Sequence, residues 1–269
     1  MTDPELRDES VRSLERGLRV IRALGRAGGA HTLADVGRAT GLSRATVRRI
    51  LFTLEDLGYV RRIDDRFLLT PRTLDLGYAY FAASGLSGLA PSVLEALTVR
   101  LDEASSVAVL DGTEIVYVAR VPARHVMAVT IGLGSRFPAY RTALGRALLS
   151  ETPEDQIAAL WAASDHRNPT PRTVQTLDEF RSALAAARSL GYALVEEELD
   201  AGLRSIAVPI RDRDRTIVAA VNVSTHVSRT NVEVLRRRFL PELQRAAADI
   251  EAMVGSLASV PGARSVIVS

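Results

Sequence analysis

Apolar residues recur at helical spacing in Leu14, Leu18, Ile21 and Leu24, with Arg16, Arg19 and Arg22 turned away from that stripe. This predicts an amphipathic helix that Gly28 and Gly29 end. Thr32 followed by Asp35 is the Thr-x-x-acid pattern of a helix start, Val36 faces inward on a short helix over 33–40, and Gly41 supplies a tight turn. Ser43 can then cap a longer helix with Val47, Ile50, Leu51, Leu54 and Leu57 along one face. After Gly58 the pattern becomes strand-like, and residues 59–63 and 66–69 around Asp64-Asp65 predict a hairpin.

Pro71 ends that hairpin, and Leu74, Leu76, Tyr78, Tyr80 and Phe81 form an apolar stretch that predicts a linker helix over 71–86. From Ser87 the pattern changes to a helix reaching about Glu103, then strands at 107–110 and 114–121 joined through Asp111-Gly112, and a third strand at 126–131. A loop over 132–141 leads to a helix opened by Thr142. Two more helices follow, one after Pro153 and one from the Thr176/Glu179 capping box to Gly191. Strands return at 192–196, 205–210 and 216–224, and a Thr230/Glu233 capping box opens a final helix that Pro241 interrupts. Three strands, a group of helices, three strands and a closing helix predict an α+β domain with a mostly antiparallel sheet over 87–255. A tail follows at 256–269.

Charge sharpens the first part of this picture. All 34 cations are arginine, and residues 11–72 hold thirteen of them against six acids, although the chain of 269 residues carries only +2 overall. A local basic excess beside a near-neutral remainder is the footprint of a nucleic-acid module. In the helix capped by Ser43, Arg44, Thr46, Arg48 and Arg49 lie near the start and off the apolar face, where a recognition helix meets base edges and phosphates. Arg61, Arg62 and Arg66 on the hairpin would act as a wing on the flanking backbone. Thr32 belongs to the same basic surface, so residues 11–70 are expected to be a winged helix-turn-helix that binds double-stranded DNA. Such readers commonly work as homo-oligomers on half-sites ~34 Å apart.

The search for catalytic chemistry finds little. There is no cysteine, and the four histidines are scattered without metal-ligand spacing. No GxGxxG, Walker loop, HExxH or GxSxG elbow is present. Glu196-Glu197-Glu198 with Asp200 could hold a cation or could be a solvated loop; no metal or cofactor is expected. Asn222 and Ser224 share one face of an otherwise apolar strand, where buried polar groups need partners. They either bond neighbouring backbone or point into a ligand cavity, with Ser205 and Thr142 as companions and Arg141 or Arg204 as a clamp for a carboxylate. The opening segment is polar, and no apolar run approaches the ~18 residues of a spanning helix. A cytoplasmic regulator is therefore expected, with an enzyme acting on a small carboxylate and carrying a DNA-binding appendage as the alternative.

Four segments, SLERGLRVIRAL, TLADVGRATGLSRATVRRILFTLEDLGYV, PAYRTALGRALL, and GLRSIAVPI followed by IVAAVNVST, closely resemble the IclR family of bacterial transcriptional regulators over roughly 11–255. The resemblance implies a winged helix-turn-helix, a linker helix and a GAF-like effector-binding domain, assembled as a homodimer or dimer of dimers. By the same analogy, effector contacts fall on Thr142, Ala143, Leu144, Glu196, Ser205, Asn222 and Ser224. Many relatives carry cysteine where Ser205 stands and serine where Asn222 stands, so the chain departs from the family at two pocket positions. PAYRTALGRALL and ELDAGLRSIAVPI look closest to the subgroup controlling aromatic-acid catabolism through the β-ketoadipate pathway. That subgroup makes protocatechuate, 4-hydroxybenzoate or β-ketoadipate the candidate effectors.

Overall fold

A computed structural model describes residues 11–77, 90–123, 131–167 and 170–257. The expected strand at 126–131, most of the linker helix at 71–86, the start of the following helix at Ser87 and most of the tail lie outside the described residues. The chain divides into two units, Met1–Ala82 and Ala83–Ser269.

In the first unit, helices α1 (Arg12–Ala27), α2 (Leu33–Thr40) and α3 (Arg44–Asp56) close over Val20, Leu24, Val36, Val47, Leu51 and Leu54. The caps form where the sequence signals them. The Thr32 hydroxyl accepts from the Asp35 amide, the Asp35 carboxylate accepts from the Thr32 amide at 3.0 Å, and Gly41 ends α2 with φ +69°. Ser43 caps α3 by accepting from the Thr46 amide. The wing is a three-stranded antiparallel sheet in the order β1 (His31–Thr32), β3 (Arg66–Leu69), β2 (Val60–Ile63). Two residues cannot display a periodicity, so β1 had no signal in the sequence. The expected apolar stripe of α1 is buried only in its second half. Leu24 is inside and Ile21 half-buried, whereas Leu14 and Leu18 remain 62% and 48% exposed; Val20, beside that stripe, is fully buried. Leu57 is exposed as well, since α3 ends before it.

The second unit is built on a six-stranded antiparallel sheet in the order β6-β5-β4-β9-β8-β7. Its strands are β4 (Ala104–Asp111), β5 (Glu114–Val121), β6 (Arg136–Pro138), β7 (Ala193–Glu196), β8 (Leu203–Arg211) and β9 (Ile217–His226). Helices α4 (Ala90–Leu101) and α8 (Leu240–Leu257) pack on one face. On the other lies α5 (Ala143–Leu149), backed by α6 (Glu154–Ala163) and α7 (Leu177–Leu190). Strand alternation divides the core accordingly: Ala108, Tyr117, Ala207 and Ala220 turn toward Leu144, Leu148 and Phe180, and Val107, Val221 and Val223 toward the opposite helices.

Three expectations need correction here. Strand β4 starts at Ala104, three residues before the expected 107, because Ser105 and Ser106 are polar yet buried. Ser105 Oγ donates to the Leu94 carbonyl at 3.1 Å, and Ser106 Oγ accepts from Arg120 at 3.2 Å. The expected loop at 132–141 contains β6 and a 3-10 turn, Ala139–Arg141, held by pairing of Glu114 with Pro138 and Ile115 with Phe137. The last helical segment is capped by Asn231 instead of Thr230, and Pro241 does not interrupt it. A proline ring clashes with the carbonyl four residues back, and the π-helical stretch Leu235–Phe239, in which the Leu240 amide reaches Leu235, widens the turn at that point.

The α2 cap yields two predictions. Thr32→Ala should weaken α2 by about 1 kcal/mol, read as roughly fivefold faster hydrogen exchange of the α2 amides. The Asp35 carboxyl is lowered to about 2 by the Thr32 amide first, then the Thr32 hydroxyl and Arg38. A depressed carboxyl stabilises fully above its unfolded pKa and loses that contribution as pH falls through its folded one. Local stability of α2 should therefore drop between about pH 4 and pH 2, and Asp35→Asn should flatten that part of the exchange profile.

Candidate functional site

The basic surface of the first unit is organised by two aromatic rings. Phe52, on α3, meets Phe67 of the wing edge-on with centroids 6.3 Å apart, and carries Arg48 at 5.2 Å and Arg62 at 5.6 Å over its own ring. One guanidinium from the helix and one from the wing are thus held at a common ring. Arg66 donates to the Ala30 carbonyl at 3.3 Å, which ties the wing to the residue before β1. Arg44, Arg49 and Arg61 are exposed and form no ion pair among the described residues. The Ser43 and Thr46 hydroxyls lie 2.9 Å apart at the start of α3. Thr32 is engaged by Asp35 in the α2 cap. Glu55 and Asp56 close the far end of α3.

In the second unit a narrow cavity opens between one face of the sheet and the start of α5. Arg141, Thr142, Ala143 and Leu144 form one wall, and Ser205, Asn222 and Ser224 form the other. Tyr117, Ile131, Val195, Leu199 and Leu203 supply apolar surface between them. Seven of the nine residues singled out in the sequence therefore meet in one place. The α5 wall is shaped by Gly145: a Cβ there would lie 2.1 Å from the Ala139 carbonyl oxygen, so only glycine lets the helix start so close to the 3-10 turn. Thr142 Oγ1 accepts from the Gly145 amide at 2.9 Å and caps the helix. The Ala143 and Leu144 amides, at the first two helical positions, have no acceptor within the helix. Arg141 reaches the Arg167 carbonyl at 3.4 Å.

The two remaining residues, Glu196 and Arg204, do not line the cavity. They face each other across β7 and β8, and Arg204 sits beside Thr225 on the face opposite to Ser205, donating to Glu196 at 2.8 Å and to the Thr230 carbonyl. Alternation along β8 puts Arg204 and Ser205 on opposite sides of the sheet, so Arg204 cannot clamp a ligand next to Ser205. The acidic run is likewise a structural device. Glu197 pairs with Arg172 at 3.1 Å, and Glu198 is buried against Arg146 at 2.6 Å, with Arg146 also donating to the Tyr140 carbonyl at 2.8 Å. Among the described residues no cluster of His, Asp or Glu could hold a metal ion.

Sequence reasoning passed over three features of this site. Tyr117 is buried on β5, which pushes its hydroxyl up to about 12 and keeps it a protonated donor; inward alternation of Ile115 and Tyr117 could have revealed it. Arg120 lies on the same sheet face as Ser106 and Asn222, half-buried, and burial lowers its pKa. The Arg146–Glu198 pair joins residues 52 apart and leaves no local pattern to read. It anchors the segment that carries Leu199 and Leu203 to the body of α5.

A model of the IclR helix-turn-helix domain matches residues 13–64, and a model of the bacterial transcriptional regulator IclR C-terminal domain matches residues 79–252. The chain is 37% identical over 239 residues to the Pca regulon regulatory protein of Pseudomonas putida, spanning 88% of this chain and 82% of that one. It is 32% identical over 257 residues to the p-hydroxybenzoate hydroxylase transcriptional activator of Acinetobacter baylyi, spanning 93% and 94%. Among solved structures, a candidate transcriptional regulator from Rhodococcus sp. RHA1 superposes with a TM-score of 0.82 at 45% identity, covering 92% of this chain and all of that one. An IclR homologue of Microbacterium hydrocarbonoxydans in complex with 4-hydroxybenzoate superposes with a TM-score of 0.79 at 26% identity, covering 90% and 98%. The alternative of an enzyme with a DNA-binding appendage finds no support among these proteins. A basic helix-turn-helix followed by a sheet domain with a polar-walled cavity, each matched in order by its own model, makes the chain a member of the IclR family of bacterial transcriptional regulators.

Proposed function

We propose that this regulator is controlled by an aromatic acid bound in the cavity between α5 and the β8–β9 wall, and that Arg44, Thr46, Arg48 and Arg49 of α3 read its operator while Arg61, Arg62 and Arg66 of the wing contact the flanking backbone. The cavity carries the effector half of this reading. Apolar surface from Tyr117, Leu144 and Leu203 suits a ring, and the Ala143 and Leu144 amides with the Arg141 guanidinium suit a carboxylate. The names of the relatives from Pseudomonas putida and Acinetobacter baylyi, and the 4-hydroxybenzoate complex, support the same ligand class. Ser43 and Thr32 act at the DNA surface mainly by capping the helices that present the arginines. A homodimer, singly or paired, would bring two such surfaces to half-sites ~34 Å apart and fits a cytoplasmic regulator. Sedimentation of the intact chain measures its oligomeric state.

Two outcomes are expected. Binding to DNA from the protein's own promoter region should weaken with salt, with log affinity falling by about 0.9 per phosphate contacted, and Arg48→Ala should cost about 1–3 kcal/mol and relax base preference. An unchanged footprint for Arg48→Ala removes it as a base reader. In a thermal-shift series, aromatic acids and their ring-cleavage products should separate cleanly: a true effector at 100 times its Kd adds about 2.7 kcal/mol and raises Tm by roughly 5 °C or more. No shift with any of them would refute the proposed ligand class.

A further inference from the structure

Asn222 is 3% exposed at the centre of β9, with Ser106 of β4 and Ala207 of β8 as its cross-strand neighbours. Its amide nitrogen donates to Ser205 Oγ at 2.8 Å and to Ser224 Oγ at 2.9 Å. Ser224 Oγ donates to Ser205 Oγ at 3.2 Å, and Ser205 Oγ donates to the Val223 carbonyl at 3.3 Å. This chain of donors settles which way the amide points. Turned over, its oxygen would need both hydroxyl protons, and the serine–serine bond and the bond to Val223 would be lost. In the orientation that satisfies four bonds, Asn222 Oδ1 is buried and has no partner.

A buried acceptor without a donor is costly unless something that binds there supplies one. We propose that Asn222 Oδ1 is the specificity-determining acceptor for a hydroxyl group on the effector, so that this regulator selects ring-hydroxylated acids over analogues lacking the hydroxyl. The inference rests on the aromatic-acid reading above and adds the polarity of the ligand. An ionised carboxylate offers Oδ1 no proton and would be repelled by it, so the acid group faces Arg141 and the α5 amides, and the hydroxyl faces β9. By the same argument an open-chain dicarboxylate, ionised at both ends, is a poor match for this wall. The residue types agree with this assignment. A serine at position 222 can rotate to serve either a donor or an acceptor, whereas this asparagine, with both protons committed to Ser205 and Ser224, can only accept.

The test uses the intact protein and calorimetric titration with 3-hydroxybenzoate, 4-hydroxybenzoate and 3,4-dihydroxybenzoate, against benzoate and the fluorobenzoates that match each hydroxyl in position. Fluorine is close to a hydroxyl in size and carries no proton. At least one hydroxylated acid should bind roughly tenfold or more tightly than its fluorinated counterpart. Asn222→Ala and Asn222→Leu should reduce that ratio below about threefold. Equal binding of hydroxylated and fluorinated acids by the unaltered protein overturns the assignment and leaves the aromatic-acid reading intact; this comparison needs no variant. A ratio that survives in both variants overturns the role of Asn222. Failure of every ring acid to bind overturns the effector class and this inference together.

Discussion

Ser205 stands opposite Ser224, and Ala207 opposite Asn222, because β8 and β9 pair antiparallel in a single register. The period of a strand is two, so a slip of β9 by one residue would carry Asn222 and Ser224 away from Ser205 to the face covered by α4 and α8 and bring Val221 and Val223 to the cavity. The register is held by burial on both sides, since nearly every residue of β9 is inside. The polar wall of the cavity and the direction of the Asn222 amide both follow from that one alignment.

The opposite wall depends on charge and close packing. The buried Arg146–Glu198 pair satisfies a guanidinium and a carboxylate that would be costly apart, with the Tyr140 carbonyl and the Val174 amide taking further hydrogen bonds. The pair connects α5 to the segment bearing Leu199 and Leu203, so two walls of the cavity are joined by a buried ion pair. Gly145 allows the 3-10 turn and α5 to touch, and that contact positions Arg141 and the first amides of α5 beside the apolar surface.

The DNA-binding unit applies a different principle. Its arginines are kept at the surface, where desolvation costs little, but two of them are oriented over Phe52. That arrangement couples recognition helix and wing through an aromatic pair, Phe52 and Phe67, which the core itself requires.

Much of this was legible in the chain because it depends on neighbours in sequence. Helical stripes, the Thr32/Asp35 and Thr176/Glu179 capping boxes, the glycines at 41 and 191 and the segregated arginines all act over a few residues, and each reappears in the structure. Asn222 and Ser224 could be named in advance because polar side chains alternating with valine and alanine on one strand stand out; Ser205, Thr142 and Arg141 followed as companions, and Ala143 and Leu144 came from the family resemblance. What remained hidden involves partners far apart along the chain: the Arg146–Glu198 pair, the strand β6 that exists only through its pairing with β5, and the π turn that carries the last helix through Pro241. Glu196 and Arg204 illustrate the boundary most clearly. Their residue types suit anion or cation binding equally well, and only the side of the sheet on which β7 and β8 present them, a consequence of strand pairing, decided that they bind each other.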